Sequence, residues 1–175
     1  MEAAVAALEA AHASAGGDAV SAPLPDRLNG LWRLCYSSAF AAGGVGAPGA
    51  GTPIRLGAVL QRVQWRKAAL DNIVELRVPA PLPLAPPLTV RATLAHALTP
   101  EGPRGCRIEL TEVQLRLIGV KGARPLALPS PLRALGLDAA LPAQLRGGAF
   151  DTPFCDGELR VSRGDGGELR VFVRE

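Results

Sequence analysis

Aromatic residues are scarce: two Trp, one Tyr and four Phe make up 4% of the 175 residues. Proteins that bind nucleic acid by stacking interleave aromatics with a clustered basic patch, and this chain has neither. Its 19 Lys and Arg against 16 Asp and Glu give a net charge of +3, and the Arg residues are scattered instead of forming a run. Nucleic acid is therefore not an expected partner, while weak attraction to an anionic lipid or membrane surface is compatible with the charge. Histidine is scarcer still, with only His12 and His96. A metal site built on imidazole needs several convergent ligands, which are lacking. Cys35, Cys106 and Cys155 stand far apart without a CxxC pair, which argues against both a zinc site and a disulfide framework. No metal and no cofactor is expected. A membrane-spanning helix needs ~18 or more consecutive apolar residues; the nearest candidate, residues 126–145, is interrupted by prolines, Arg133 and Asp138. The opening "MEAAVAALEA" carries Glu2 and Glu9 and lacks a basic start, so no targeting segment is read there.

What is abundant is Ala, Leu, Val, Gly and Pro: 48% of residues are hydrophobic, with 20 Gly and 16 Pro. The length suits one domain with a sizeable core. Residues 2–14 predict a short Ala-rich helix ended by Gly16-Gly17, and 21–26 a linker, so 1–27 stand apart from a domain at 28–175. From Leu28 the apolar period becomes two. "LNGLWRLCYSSAF" puts Trp32, Leu34, Tyr36 and Phe40 on one face. Residues 41–53 form a Gly- and Ala-rich loop. Alternation resumes in 54–70, with Val59, Val63 and Trp65 together, then in 71–78. After the Pro-rich connector 79–87, the cleanest strand follows at 88–98, with Val90, Ala92, Leu94 and His96 on a shared face. In "CRIELTEVQLRLIGV" the apolar parity switches near Thr111-Glu112, which predicts a β-bulge. Residues 121–149 are Pro- and Leu-rich, with room for a helical turn or two, and two strands flank the turn "RGDGG" at the end. Seven or eight strands joined by local turns predict an all-β, antiparallel barrel or sandwich.

Few residues announce chemistry. "GVGAPG" (44–49) fits GxGxxG formally, but no helix can open at Pro48, so the amides that would meet a pyrophosphate are missing. No GxSxG occurs. Asp151, Asp156 and Asp165 with Glu158 resemble paired carboxylates, yet Asp151-Thr152, Asp156-Gly157 and Asp165-Gly166-Gly167 equally read as turn formers, with Arg160 and Arg163 near enough to pair with them. A longer-range pattern carries more weight. "NGLW" begins the first strand, and Arg160 and Arg163 lie in the strands that end the domain. If the sheet closes, a guanidinium can stack on Trp32.

Three blocks carry a family likeness: "LNGLWRLCYSSAF" (28–40), residues 56–98, and the closing "GAFDTPFCDGELRVSRGDGGELRVFV" (148–173). In that order they resemble the plastid lipid-associated protein family, the fibrillins or plastoglobulins. The resemblance implies a lipocalin-like barrel, a chloroplast address at plastoglobules or thylakoids, and binding of apolar isoprenoids, quinones, carotenoids or fatty acids. It also assigns Gly30 and Trp32 to the family's Gly-x-Trp element. Asp151, Thr152, Asp156, Arg160, Arg163, Gly164 and Asp165 fall in its C-terminal motif. This chain departs in its short leading helix, in the Gly/Ala-rich loop at 41–53, and in showing no plastid transit peptide.

The expected function is burial of a hydrophobic small molecule in the barrel, without catalysis, at a plastid lipid surface. An eight-stranded barrel holds one small ligand when small side chains leave room. Tyr36, Trp65, Val90, Leu94 and His96 are the expected cavity wall, with Cys35 among them, and residues 121–149 either lie over the mouth or rest on lipid as an apolar surface. One rival is a coat protein of lipid droplets with a filled barrel. Another is an enzyme on a lipophilic substrate using His96, Asp151 and Asp156. Nothing in the residues specifies an oligomeric state.

Overall fold

The computed structural model describes residues 2–14, 24–41, 55–78, 87–119, 126–129 and 147–175. Strands carry most of them: β1 Gly30–Ser37, β2 Arg55–Gln64, β3 Ala69–Val78, β4 Leu88–Glu101, β5 Gly105–Ile118, β6 Leu126–Pro129, β7 Gly147–Cys155, β8 Leu159–Gly164 and β9 Leu169–Arg174. Helices α1 Glu2–Ser14, α2 Leu24–Leu28 and α3 Ser38–Ala41 accompany them. All the strand pairings are antiparallel, in the order β4-β3-β2-β1-β9-β8-β7-β5-β6, and β4 also pairs with β5. That extra ladder joins the two arms of the sheet. Eight strands thereby form a closed ring, with β6 added along the far half of β5. The fold is all-β, and closure removes the edges an open sheet would expose. First and last strands are neighbours, Trp32 opposite Arg174 and Leu34 opposite Phe172. Among the described residues no helix is long and apolar enough to cross a membrane.

Side-chain parity assigns the faces. Leu94, His96 and Leu98 of β4 are buried inward, and Val90 and Ala92 share their face. Across β3 they meet Leu70, Asn72, Val74 and Leu76. On β5 the inward set begins as Cys106, Ile108 and Leu110. A register shift opposite Ala95/His96 then leaves Thr111 unpaired, and Val113, Leu115 and Leu117 continue on the inner face. The bulge lies where the apolar parity changes in the sequence. Thr111 Oγ1 donates to the Ala95 carbonyl at 2.9 Å, satisfying a group the bulge would orphan.

Outside the ring, α1 lies on β7, β8 and β9. Val5 and Leu8 pack with Phe154, Val161, Leu169 and Val171, and the His12 ring meets Phe154 edge-on at 5.0 Å. Val5, Leu8, Glu9 and His12 follow the i, i+3, i+4, i+7 spacing of one helical face.

Several local expectations are corrected. The first strand ends at Ser37, and residues 38–41 turn into helix, so Phe40 is not on it. Trp65 leaves the alternation: Trp65–Lys67 form a 3₁₀ turn ended by Ala68 in the left-handed region at φ 48. Helix α2 occupies part of the stretch that reads as a linker. Residues 147–155, with their turn-forming Asp-Thr and Pro, form strand β7 with a bulge between Asp151 and Phe154. The loop at 42–53, the connector at 79–86 and the insertion at 120–125 and 130–146 lie outside the described residues.

Candidate functional site

One end of the ring is sealed. Leu24 and Leu28 of α2 pack with Trp32, Val63, Leu70, Leu98, Cys106, Ile108, Phe150 and Phe172. Trp32 is fully buried and its Nε1 donates to the Leu28 carbonyl at 2.8 Å. Arg174 lies over the same indole at 4.3 Å from its centroid. Its guanidinium also donates to the carbonyls of Asn29 (2.9 Å), Arg27 (2.6 Å) and Gly157. A cation is well used here, because carbonyls at the end of α2 attract positive charge and the indole face does too. Gly30 makes the approach possible. Its φ is +145, and a Cβ there would collide with Arg174 Nη1.

Beside this apolar seal sits a polar group of unusual burial. Arg160 has no solvent exposure. Its Cζ lies 4.0 Å from the Phe172 centroid and 5.2 Å from that of Trp32. Nη2 donates across the interior to Gln61 Oε1, and Gln61 Nε2 donates to Asn72 Oδ1 at 2.8 Å. Burial lowers the Arg160 pKa to about 9, and the nearby Arg170 and Arg174 add to the lowering, so the group remains charged at neutral pH. Burial pushes the Cys106 and Cys155 thiols up to about 11, which keeps both neutral. His96 is buried inward, opposite Leu70 and Leu110.

Away from the seal the inner wall is apolar. Leu94 and Val113 are buried, with Ala92, Leu110 and Leu115 around them. One row further, Leu76, Val90 and Leu117 are cross-strand neighbours on the inner face. Leu117 is nevertheless 39% exposed, and the other two are half-buried. Strands β1 and β2 pair only from Gly30 to Arg33. Beyond that they part, and a cleft of about 440 Å³ opens between Leu34–Ser37 and Leu56–Val59. A second cavity of about 280 Å³ adjoins Ile108, Phe150 and Arg170.

The expected wall residues separate. Val90, Leu94 and His96 face the interior. Trp65 packs at the sealed end, its amide donating to Asn29 Oδ1 at 3.1 Å. Tyr36 is turned out: a bulge at Cys35 in the β1–β9 ladder puts it opposite Val171, in the cluster beneath α1. Cys35 itself is exposed.

The motif residues also divide. Arg163 does not approach Trp32; it grips Glu9 of α1 at 3.0 and 3.1 Å. Asp156 accepts from the amides of Glu158 (2.7 Å) and Leu159 (2.6 Å), closing the β7–β8 turn. Asp165 and Ala149 exchange hydrogen bonds, and Gly164 starts the β8–β9 turn by donating its amide N–H to the Glu168 carbonyl at 3.0 Å. Asp151 faces outward and pairs weakly with Arg104 at 3.7 Å, while Thr152 is buried. None of these carboxylates pairs with Arg160. His96 points in whereas Asp151 and Asp156 lie outside, so these three do not converge into an acid–base set.

Three participants escape the sequence analysis. Gln61 and Asn72 occupy inward positions between Val59 and Val63 and between Leu70 and Val74, and a polar residue at such a position is itself a signal. Arg174 gives none, because its partners are backbone carbonyls brought near only by closure.

The PAP_fibrillin family model matches residues 1–173. This chain belongs to the PAP_fibrillin family. Over 156 residues it is 40% identical to plastid-lipid-associated protein 6, chloroplastic, of Arabidopsis thaliana, a match covering 85% of this chain and 53% of that protein. The chain thus spans about half the length of the curated relative it matches.

Proposed function

We propose that this PAP_fibrillin domain buries an apolar small molecule, of the isoprenoid, quinone, carotenoid or fatty-acid kind, in its ring of strands. It does so without chemistry. The observation that carries this reading is the row Leu76, Val90 and Leu117: apolar side chains on the inner face, one of them 39% exposed, above a well-packed seal. Apolar area removed from water stabilises a complex by roughly 25 cal/mol per Å², so a long chain laid on this wall gains affinity from length alone. A membership shared with a plastid-lipid-associated, chloroplastic protein supports a chloroplast setting and contact with a peripheral lipid surface. Residues 28–175 act as the binding domain, and α1 serves as its outer strap.

Native mass spectrometry of the protein after incubation with a plastid lipid extract tests the reading. A discrete adduct that organic solvent releases supports it. A bare chain under conditions that preserve the fold overturns it.

A further inference from the structure

Arg160 carries its charge inside the ring, and among the described residues it has no counter-ion. Its Nε and Nη1 are buried and donate to no atom of the described residues. Among the described residues no carboxylate pairs with it. Neighbouring charge makes the deficit worse: Arg170 is near enough to disfavour a second cation, and its own carboxylate, Glu168, is already engaged. Arg174 is taken up by three backbone carbonyls. Two buried hydroxyls are also without partners among the described residues, Ser162 Oγ and Thr152 Oγ1. Ser162 shares Arg160's face of β8, and the bulge residues Thr152 and Pro153 of β7 stand opposite it. A buried ion with unsatisfied donors is costly unless something pairs with it.

Open space lies close by. Ile108 and Phe150 belong both to the cluster holding Trp32 and Phe172 and to the wall of the 280 Å³ cavity. From Arg160 the hydrogen bonds run through Gln61 to Asn72, whose cross-strand neighbour is Leu94 of the apolar wall.

We infer that Arg160 anchors the head of the ligand, and that the preferred ligand is an apolar chain ending in a carboxylate. This rests on the apolar-ligand reading above and narrows it. A carboxylate accepts from one open edge of the guanidinium, at Nε or at Nη1, and neutralises it, whereas a quinone carbonyl or a hydroxyl leaves the charge uncompensated. Ser162 supplies a further donor beside the head. The chain then lies along Leu94, Val113 and Leu115 toward Leu117.

Displacement of the neutral dye Nile red by oleate, methyl oleate and octadecene tests this. The three share an 18-carbon chain and differ at the head. Unmodified protein should prefer oleate over its methyl ester at least tenfold. Arg160→Gln should bring that ratio within about twofold and leave the ester's affinity unchanged, while Arg170→Gln keeps the preference. Equal binding of oleate and ester by the unmodified protein overturns the anchor and leaves the apolar pocket standing. That comparison holds even if Arg160→Gln fails to fold. A preference that survives in folded Arg160→Gln also overturns it. Failure of all three compounds to displace or bind removes the apolar-ligand reading, and the anchor with it.

Discussion

Replacing Gly30 by Ala tests the sealed end with a single methyl group. Gly30 adopts φ +145, where any other residue is strained by about 1–3 kcal/mol. The new Cβ would also collide with Arg174 Nη1. Arg174 must then move off the Trp32 face and loosen its bonds to the Asn29, Arg27 and Gly157 carbonyls. Hydrogen bonds from a charged donor contribute about 1.5–3 kcal/mol each, and the lower end applies to a half-exposed group that water can partly re-satisfy. Counting strain and the loss of one or two such bonds, Gly30→Ala should destabilise the domain by about 3–5 kcal/mol. That is a large part of the about 5–15 kcal/mol that holds most domains folded. Guanidinium chloride unfolding followed by Trp fluorescence reads it well, because Trp32 and Trp65 both lie at this end. Arg174→Ala alone should cost about 2–3 kcal/mol. The double variant should cost at least about 1 kcal/mol less than the sum, since the same bonds cannot be lost twice. Strict additivity, or a Gly30→Ala loss below about 1 kcal/mol, would refute the idea that this glycine exists to admit the guanidinium.

Other outcomes follow from placement and titration. Tyr36→Ala should weaken the cluster under α1 by about 2–3 kcal/mol in denaturation yet leave Nile red binding unaltered, because Tyr36 faces away from the Leu76, Val90 and Leu117 wall; a lost binding signal would place the dye in the cleft beside Tyr36 instead. Thr111→Val should cost about 1 kcal/mol through the Ala95 carbonyl, and a neutral result would mean that water replaces the hydroxyl. With both thiols pushed up to about 11 from the ordinary 9.0, the unfolded chain sheds protons between pH 9 and 11 that the native chain keeps, so stability falls as pH rises through that window. Two units amount to about 2–3 kcal/mol per thiol. Arg160, held near 9, works in the opposite sense by losing its proton first in the native state. Subtracting Cys106→Ala from the parent isolates the thiol: the variant's denaturation midpoint should decline less from pH 8 to 11, and equal slopes would contradict the assignment.

Alternation in sequence anticipates β4 and β5 well because each strand there keeps a full apolar face, and the bulge at Thr111 shows as a break within β5 itself. The bulge at Cys35 does not. It is defined by the register against β9, some 135 residues on, and nothing local distinguishes Tyr36 from the inward Leu34. Strand β7 hides for a different reason. Asp151, Thr152 and Pro153 favour turns, and the bulge that accommodates them exists only once β5 and β8 flank the strand. Arg160 and Arg163 look alike in "LRVSR", yet parity sends the first inward and the third residue after it, past the inward Ser162, outward to Glu9. "NGLW" and the Arg-rich closing strands point to a contact between the chain ends, while Arg174, which lies over Trp32, is visible only when those ends are brought together.

The central claim is that the inner wall above the seal has room for an apolar guest, and Ala92 is the position from which to fill it. Ala92→Trp places a large ring inward between Val90 and Leu94. Nile red titration of parent and variant, with unfolding midpoints recorded alongside, tests the claim most directly. Saturable binding by the parent that disappears in a variant of undiminished stability is the predicted result. A parent that binds no dye, or an Ala92→Trp protein that binds it as well as the parent does, would contradict the account.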